Sequence, residues 1–425
     1  MDAASAFMVL GGRLVVHGLP IRPGKKEWRP PMPLKDWSAV ECRSKHAYGC
    51  GEHGQGLVSG LSLHVRHVRY PDLTTSLSIS LSDDAIKSIQ AELGVPGGLE
   101  VQGRIWIAHR QVLVLLVAFL RRHYSQRVYY LVYDSADASL YMIPCVPDPN
   151  YLEIMYTLVP VPVRADGDGR GHELALMACE RWTDRVDGGR LCLCTPAANG
   201  AAGPWEEKLW RFPELSQLFS ADVVFSSDGK ALWADLSQGV ACCDLRAGSG
   251  GSVVDTVFIY LPEEYVIDYP DSPEPSCDCD DDDSCGSSSQ PAPKRKMVGA
   301  TRTMGAAAED TVKFVCIDGR PGDETVSVLT LDLHRRRWKE DEGFPCPWIE
   351  LWRQLVGSMD ANAELREVEP PEPQYPVLMP DGALCLLLAN VRGLEEGEDY
   401  ICSFNMRSKS VNVSGVFKIT KPPGL

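Results

Sequence analysis

The chain has 425 residues, 44% apolar and 24% charged, which is enough for one large domain or two to three ordinary ones with a substantial core. Its formal net charge of -16 repels phosphate backbones and anionic lipid, so nucleic-acid or membrane binding would need a local basic patch acting against the global field. With 31 Pro and 37 Gly, turns must be frequent, which favours many short elements over long helices.

Cysteine usage and hydropathy set the expected compartment. The 15 Cys are odd in number and run from Cys42 to Cys402 without a regular framework. Cys192, Cys194, Cys242, Cys243, Cys316 and Cys385 lie inside apolar runs, where a thiol acts as a small buried hydrophobe. A reducing cytosol or nucleus suits this pattern better than secretion. Met1-Asp2 opens with an acid rather than a basic segment, and Gly11-Gly12 stops the apolar run from Ala6 to Leu10, so no signal peptide is expected. The longest apolar stretch, Val112 to Leu120, lies between Arg110 and Arg121-Arg122 and is less than half of the roughly 20 residues a membrane-spanning helix needs.

In chain order, residues 1–59 read as an irregular N-terminal region packing on or beside the domain, with Pro20, Pro23, Pro30, Pro31 and Pro33. Helical spacing occurs at Asp83 to Leu93, where Ile86, Ile89 and Leu93 recur at three and four and Ser82 can cap the N-terminus. Further short helices are predicted near Pro213 to Phe219 and at Pro347 to Val356. Most of the remainder reads as short strands bounded by turn residues.

Two kinds of hairpin recur. One turns through Asp-Gly or Gly-Gly: Val223 to Trp233 around Asp228-Gly229, a segment around Asp187-Gly188-Gly189, and Val377 to Leu388 around Asp381-Gly382. Glycine accepts the positive φ such turns require. The other runs from an apolar strand through an acid and a polar turn into a second strand: Tyr129 to Pro144 through Asp134, Val240 to Pro262 through Asp244, Val326 to Trp338 through Asp332, and Tyr400 to Val416. Isolated hairpins cannot bury both faces, so they must stack. Roughly four strands every 40 to 50 residues predict an all-β, β-propeller-like domain over 60–417 with about six or seven blades; a pair of β-sandwiches is the competing architecture. From Asp268 to Glu309, prolines, the Asp280–Asp283 tract and low hydrophobicity predict a disordered acidic insertion, and residues 418–425 a tail.

The segment Leu232-Trp233-Ala234-Asp235-Leu236-Ser237-Gln238-Gly239-Val240-Ala241-Cys242-Cys243-Asp244-Leu245 resembles a plant family abundant in grasses, domain-of-unknown-function family 1618. That family's pattern is Trp-Val-Asp-Leu, two residues, Gly, an apolar stretch and Cys-Asp; Ala234 replaces the usual Val, and Ser237-Gln238 the usual bulky pair. Phe258 to Pro262, Asp310 to Val315, Trp338 and Tyr375 to Leu378 resemble later parts of the family. The resemblance implies no activity and no catalytic residues. On physical grounds Trp233 reads as an aromatic packed between blades, and the Asp235–Asp244 hairpin as fold-maintaining.

Cys42, His46, Cys50 and His53 follow a C-x3-H-x3-C-x2-H spacing whose ligand types suit tetrahedral zinc, but no adjacent element fixes them, and an irregular Gly-rich loop is the preferred reading. Cys277, Cys279 and Cys285 beside the Asp tract mix soft and hard ligands on a flexible stretch. His64 and His67 fall on opposite faces of a strand-like run, and Lys294-Arg295-Lys296 reads as linker charge. The Gly-Gly pairs lack a phosphate-cradling context, and no nucleophile elbow or Cys-His signature is present. No catalytic, cofactor or metal residue is therefore nominated. The expectation is a non-enzymatic interaction module that binds a protein partner through loops on one propeller face, with an enzyme acting on a small molecule or glycan in the central channel as the alternative.

Overall fold

The computed structural model describes residues 13–17, 37–66, 76–94, 99–109, 111–120, 126–146, 152–153, 159–164, 172–180, 189–195, 205–211, 215, 219–245, 253–267, 298–307, 311–358, 370–379, 382–388, 399–406 and 410–419. Strand succeeds strand because apolar residues recur at every second position, or continuously, between turns. In β1 (Arg13–His17), β2 (Ser38–Ala39), β3 (Ser44–Ala47), β4 (Leu61–Arg66) and β5 (Ser76–Leu81), the order β2-β4-β5-β1 makes a first blade, while β3 pairs in parallel with β9 of the second. The second blade is the meander β6 (Glu100–His109), β7 (Val112–Leu120), β8 (Gln126–Asp134) and β9 (Ser139–Pro144). The third comprises β10 (Leu152–Glu153), β11 (Val161–Arg164), β12 (His172–Glu180), β13 (Gly189–Cys194) and β14 (Trp205–Arg211).

The fourth blade is β15 (Val223–Ser227), β16 (Lys230–Asp235), β17 (Gly239–Asp244) and β18 (Val253–Tyr260). The fifth is β19 (Arg302–Ala306), β20 (Val312–Asp318), β21 (Thr325–Asp332), β22 (Arg337–Glu340) and the short β23 (Cys346–Pro347). The sixth is β24 (Pro373–Leu378), β25 (Ala383–Leu388), β26 (Asp399–Asn405) and β27 (Ser410–Ile419). Edge pairing of β1 with β6, and of β14 with β18, fuses blades 1 and 2 and blades 3 and 4 into nine-stranded sheets.

What makes the arrangement propeller-like is the order of burial. Each blade packs face to face on the next: Leu63 and Ile79 on Leu115 and Phe119, Tyr130 and Val132 on Leu174, Val163 and Met177 on Trp233, Leu232 and Val240 on Phe314 and Leu329, and Val326 and Val328 on Leu386 and Phe404. The leading strands β11, β15, β19 and β24 touch one another in succession, which sets them on a common inner side. A middle strand such as β16 shows the consequence, since Ala231 and Trp233 face blade 3 while Leu232 and Ala234 face blade 5. Each large side chain so buried contributes about 1.5–3 kcal/mol.

Helices fill the gaps. α1 (Gly54–Ser59) and α2 (Asp83–Leu93) pack together on the first interface, α3 (Val298–Thr301) leads into β19, and α4 (Trp348–Ser358) covers the fifth. In α2 the predicted Ser82 cap accepts from Ala85 N at 3.2 Å, Ile86, Ile89 and Leu93 are buried, and Gly94 ends the helix in the left-handed region.

Two boundaries differ from the sequence reading. Residues 13–17 and 37–59 are integral to blades 1 and 2, because β1, β2 and β3 find distant partners that local periodicity does not reveal. The predicted insertion ends earlier than Glu309: Val298, Met304, Ala306 and Ala307 are buried in α3 and the inner strand of blade 5. Residues 268–297, including the acidic tract and Lys294-Arg295-Lys296, lie outside the described residues, as does most of the predicted Pro213–Phe219 helix.

The Trp233 hairpin bears out its fold-maintaining reading. Trp233 is 1% exposed between blades 3 and 4, and Asp235, equally buried, accepts from Ser220 N, Ser237 N and Gln238 Nε2 at 2.9–3.0 Å. Gly239 is obligatory because a Cβ there would meet Ile259 O at 2.3 Å. The Trp233 indole N–H has no hydrogen-bond partner among the described residues, so the ring acts through packing alone. Trp233→Ala is therefore expected to cost about 3–5 kcal/mol in urea unfolding, and Trp233→Phe much less. Equal losses for the two variants would show that the indole N–H matters.

Candidate functional site

Within an antiparallel meander the first and third turns share one end of the sheet. In blade 2 the β6–β7 and β8–β9 turns are tied directly by Ser135 N donating to Gln111 O at 2.8 Å. The registers Lys230↔Asp244, Val312↔Leu331 and Ala383↔Asn405 bring the corresponding ends together in blades 4, 5 and 6. Two cross-blade contacts place neighbouring ends side by side: Asp134 Oδ2 lies 3.3 Å from His172 Nδ1, and Asp228 Oδ2 lies 4.0 Å from His334 Nε2.

The acids at this end build its turns. Asp134 Oδ1 accepts from Ala136 N at 2.8 Å and Asp137 Oδ1 from Ser139 N at 3.0 Å, letting Ala138 adopt a φ of 56°. Asp228 and Gly229 have φ of 50° and 68°, the doubly left-handed pair that matches strand twist in a two-residue hairpin. Lys230 Nζ closes on Asp228 Oδ2 at 2.7 Å. Asp332 Oδ1 accepts from His334 N and Arg335 N at 3.0 and 2.9 Å, beside Arg336 with a φ of 54°.

These contacts govern ionisation. Burial opposes the charge on Asp134, but the His172 contact and the Ala136 N–H outweigh it and hold the carboxyl below its usual range. The Arg335 N–H does the same for Asp332, with help from His334 N–H. Among the described residues neither the His172 ring nor the His334 ring is hydrogen-bonded to a hydroxyl or thiol, although the His172 carbonyl accepts from the Tyr141 hydroxyl at 3.2 Å. The end thus presents turns in which Asp134, Asp137 and Asp332 are engaged with backbone and Asp228 with Lys230, beside an exposed run of basic residues: His334, Arg335, Arg336 and Arg337 all face solvent.

The Cys and His residues weighed in the sequence as possible ligands lie on several elements. Cys42 is half-buried ahead of β3, His46 lies within β3, and His53 precedes α1. Cys50 donates to the carbonyls of Tyr48 and Met142, both at 3.4 Å, and burial pushes its thiol up to about 12. Among the described residues no three His, Cys, Asp or Glu side chains gather as a metal site. His64 is half-buried in β4 with Nε2 2.9 Å from Ser80 Oγ of β5, a pairing that the spacing within its own strand does not reveal. Its burial lowers its pKa, and His67 lies outside the described residues.

The geometry defines a β-rich protein of propeller-like architecture, with six blades among the described residues and tight turns gathered at one end. Residues 233–385 match the model of a family described as "Protein of unknown function (DUF1618)", from within β16 of the fourth blade, through the fifth, to within β25 of the sixth. A comparison with curated proteins yields no match. Among solved structures, the β-propeller domain of the Trilobed protease from Pyrococcus furiosus is similar at 8% identity and a TM-score of 0.32, over 73% of this chain and 69% of that one. An α-L-arabinofuranosidase from Lactobacillus brevis gives 11% identity and a TM-score of 0.27, over 75% and 90%. No helix among the described residues is long and apolar enough to cross a membrane.

Because the folded pKa of Asp134 lies below its unfolded value, the ionised carboxylate stabilises the native state above about pH 4, and this contribution disappears as pH falls through the folded value. Asp134→Asn should be less stable than the unsubstituted chain at pH 7, with the gap narrowing below about pH 4 in urea titrations. A gap independent of pH would contradict the assignment.

Proposed function

We propose that this chain is a protein-interaction module that binds a protein or peptide partner through the loops at the turn-bearing end of its blades. The observation that carries this reading is the pattern at that end: acids fix the turn backbones, the Asp134–His172 and Asp228–His334 contacts set neighbouring turns side by side, and exposed side chains such as Arg335 and Arg337 point outward. A rigid loop set of this kind loses little entropy on association. The resemblance in the Trp233–Leu245 segment further implies a plant protein. Cysteines buried between strands, such as Cys192, Cys194, Cys243 and Cys402, support a reducing cytosol or nucleus as its compartment.

The test joins capture to mapping. The immobilised chain should retain a specific protein from extract of its own source, and hydrogen exchange of the purified complex should show new protection at residues 135–138, 228–230 and 333–337. Recovery of no specific partner, or protection confined to the opposite end of the blades, would overturn the proposal.

A further inference from the structure

Five of the six residues from His334 to Lys339 are basic, and all five are exposed, in a chain whose net charge is -16. They occupy the β21–β22 turn and β22 itself, the edge strand of blade 5. Their neutralisation is slight. Arg335 Nε is 3.7 Å from Asp332 and His334 is 4.0 Å from Asp228, while Arg336, Arg337 and Lys339 form no ion pair among the described residues. Asp332 stands opposite Arg337 in the ladder and Glu340 is exposed at the end of β22, so the island is partly compensated, yet in a chain this acidic a run of five basic residues is a departure from the surrounding surface. The island is held in place: Asp332 caps the turn, and Trp338 Nε1 donates to Tyr260 O at 2.8 Å, pinning β22 against blade 4 beside the 49% exposed Tyr260.

From these observations we infer that the β21–β22 hairpin is the docking point for an acidic segment of the protein partner, an inference that rests on the interaction reading above. Charge complementarity selects the sign of the ligand, and dimension selects its length. A turn plus four strand residues at ~3.4 Å each spans about 15–20 Å, the reach of five or six extended residues. A nucleic acid is the poorer fit, since a long polyanion would run off this island onto a surface of its own sign. Each arginine offers a planar fork matched to a carboxylate, and β22, an edge strand among the described residues, offers backbone groups to an extended chain.

The probe is a fluorescein-labelled peptide of six Glu flanked by Gly-Ser, titrated by anisotropy with the full chain at about 20 mM salt. Binding should be at least tenfold weaker for the triple variant Arg335→Gln, Arg337→Gln, Lys339→Gln, with the urea midpoint retained. Arg336 is left unchanged because of its left-handed backbone. Lys87→Gln, on the exposed side of α2, should change affinity less than twofold. Raising salt to about 150 mM should weaken binding by shortening the reach of the charges. Equal binding by the triple variant, no binding by either protein, or tighter binding of a labelled oligothymidylate would overturn the inference. Self-association of the triple variant with unchanged peptide affinity would also overturn it, showing that the cations serve only to guard the strand edge. A captured partner that binds the triple variant undiminished would sink the acidic-segment inference while leaving the interaction reading intact.

Discussion

A blade with apolar side chains on both faces cannot exist alone, and this requirement governs the rest of the molecule. In β16 consecutive residues from Ala231 to Ala234 are all buried, alternately toward blade 3 and toward blade 5. The same demand recurs in β20, where Phe314 and Cys316 face blade 4 while Val315 and Ile317 face blade 6. Each interface therefore supports the next, and a blade's stability is largely that of its neighbours' surfaces. Burial of both faces also explains the free cysteines: Cys194, Cys243 and Cys402 fill space between strands, and desolvation raises their thiol pKa values, making them poor nucleophiles.

With the faces committed to packing, only the ends and edges of the blades are left for the proposed binding. The cost of forming tight turns there is met by side-chain acceptors, with Asp134, Asp137 and Asp332 taking backbone N–H groups that would otherwise point into the turn unpaired. Acids that look like candidate chemistry in the sequence are thus architectural, while the cations beside them keep their charge available. That division links the packing constraint to the proposed binding role.

The legible parts of the sequence were those whose signals are local. Asp228-Gly229 marked a hairpin because positive φ is needed at adjacent residues, and Ser82 marked a helix start because its side chain caps the very next turn. The Asp-polar-strand pattern located the β8–β9 and β21–β22 hairpins within a residue or two. Illegible were pairings across long separations. Nothing near Arg13 announces Arg104 as its strand partner, and nothing near His172 announces Asp134. The short β19 was hidden because its buried Met304 and Ala306 follow a long acidic stretch whose composition dominated the reading. The zinc-like spacing of Cys42 to His53 shows the complementary limit: sequence spacing fixes reach but not direction, and Cys50 turns toward the carbonyl of Met142.

Aromatic contacts across three separate interfaces offer the most direct measurement. Tyr130 meets Trp205 between blades 2 and 3 with ring centroids 6.1 Å apart, Tyr265 meets Phe314 between blades 4 and 5 at 5.9 Å, and Trp348 meets Phe404 between blades 5 and 6 at 6.0 Å. Double-mutant cycles with leucine at each position, read by urea unfolding, should give coupling of about 0.5–1.5 kcal/mol at all three. Strict additivity at these pairs would contradict the serial face-to-face packing of the blades.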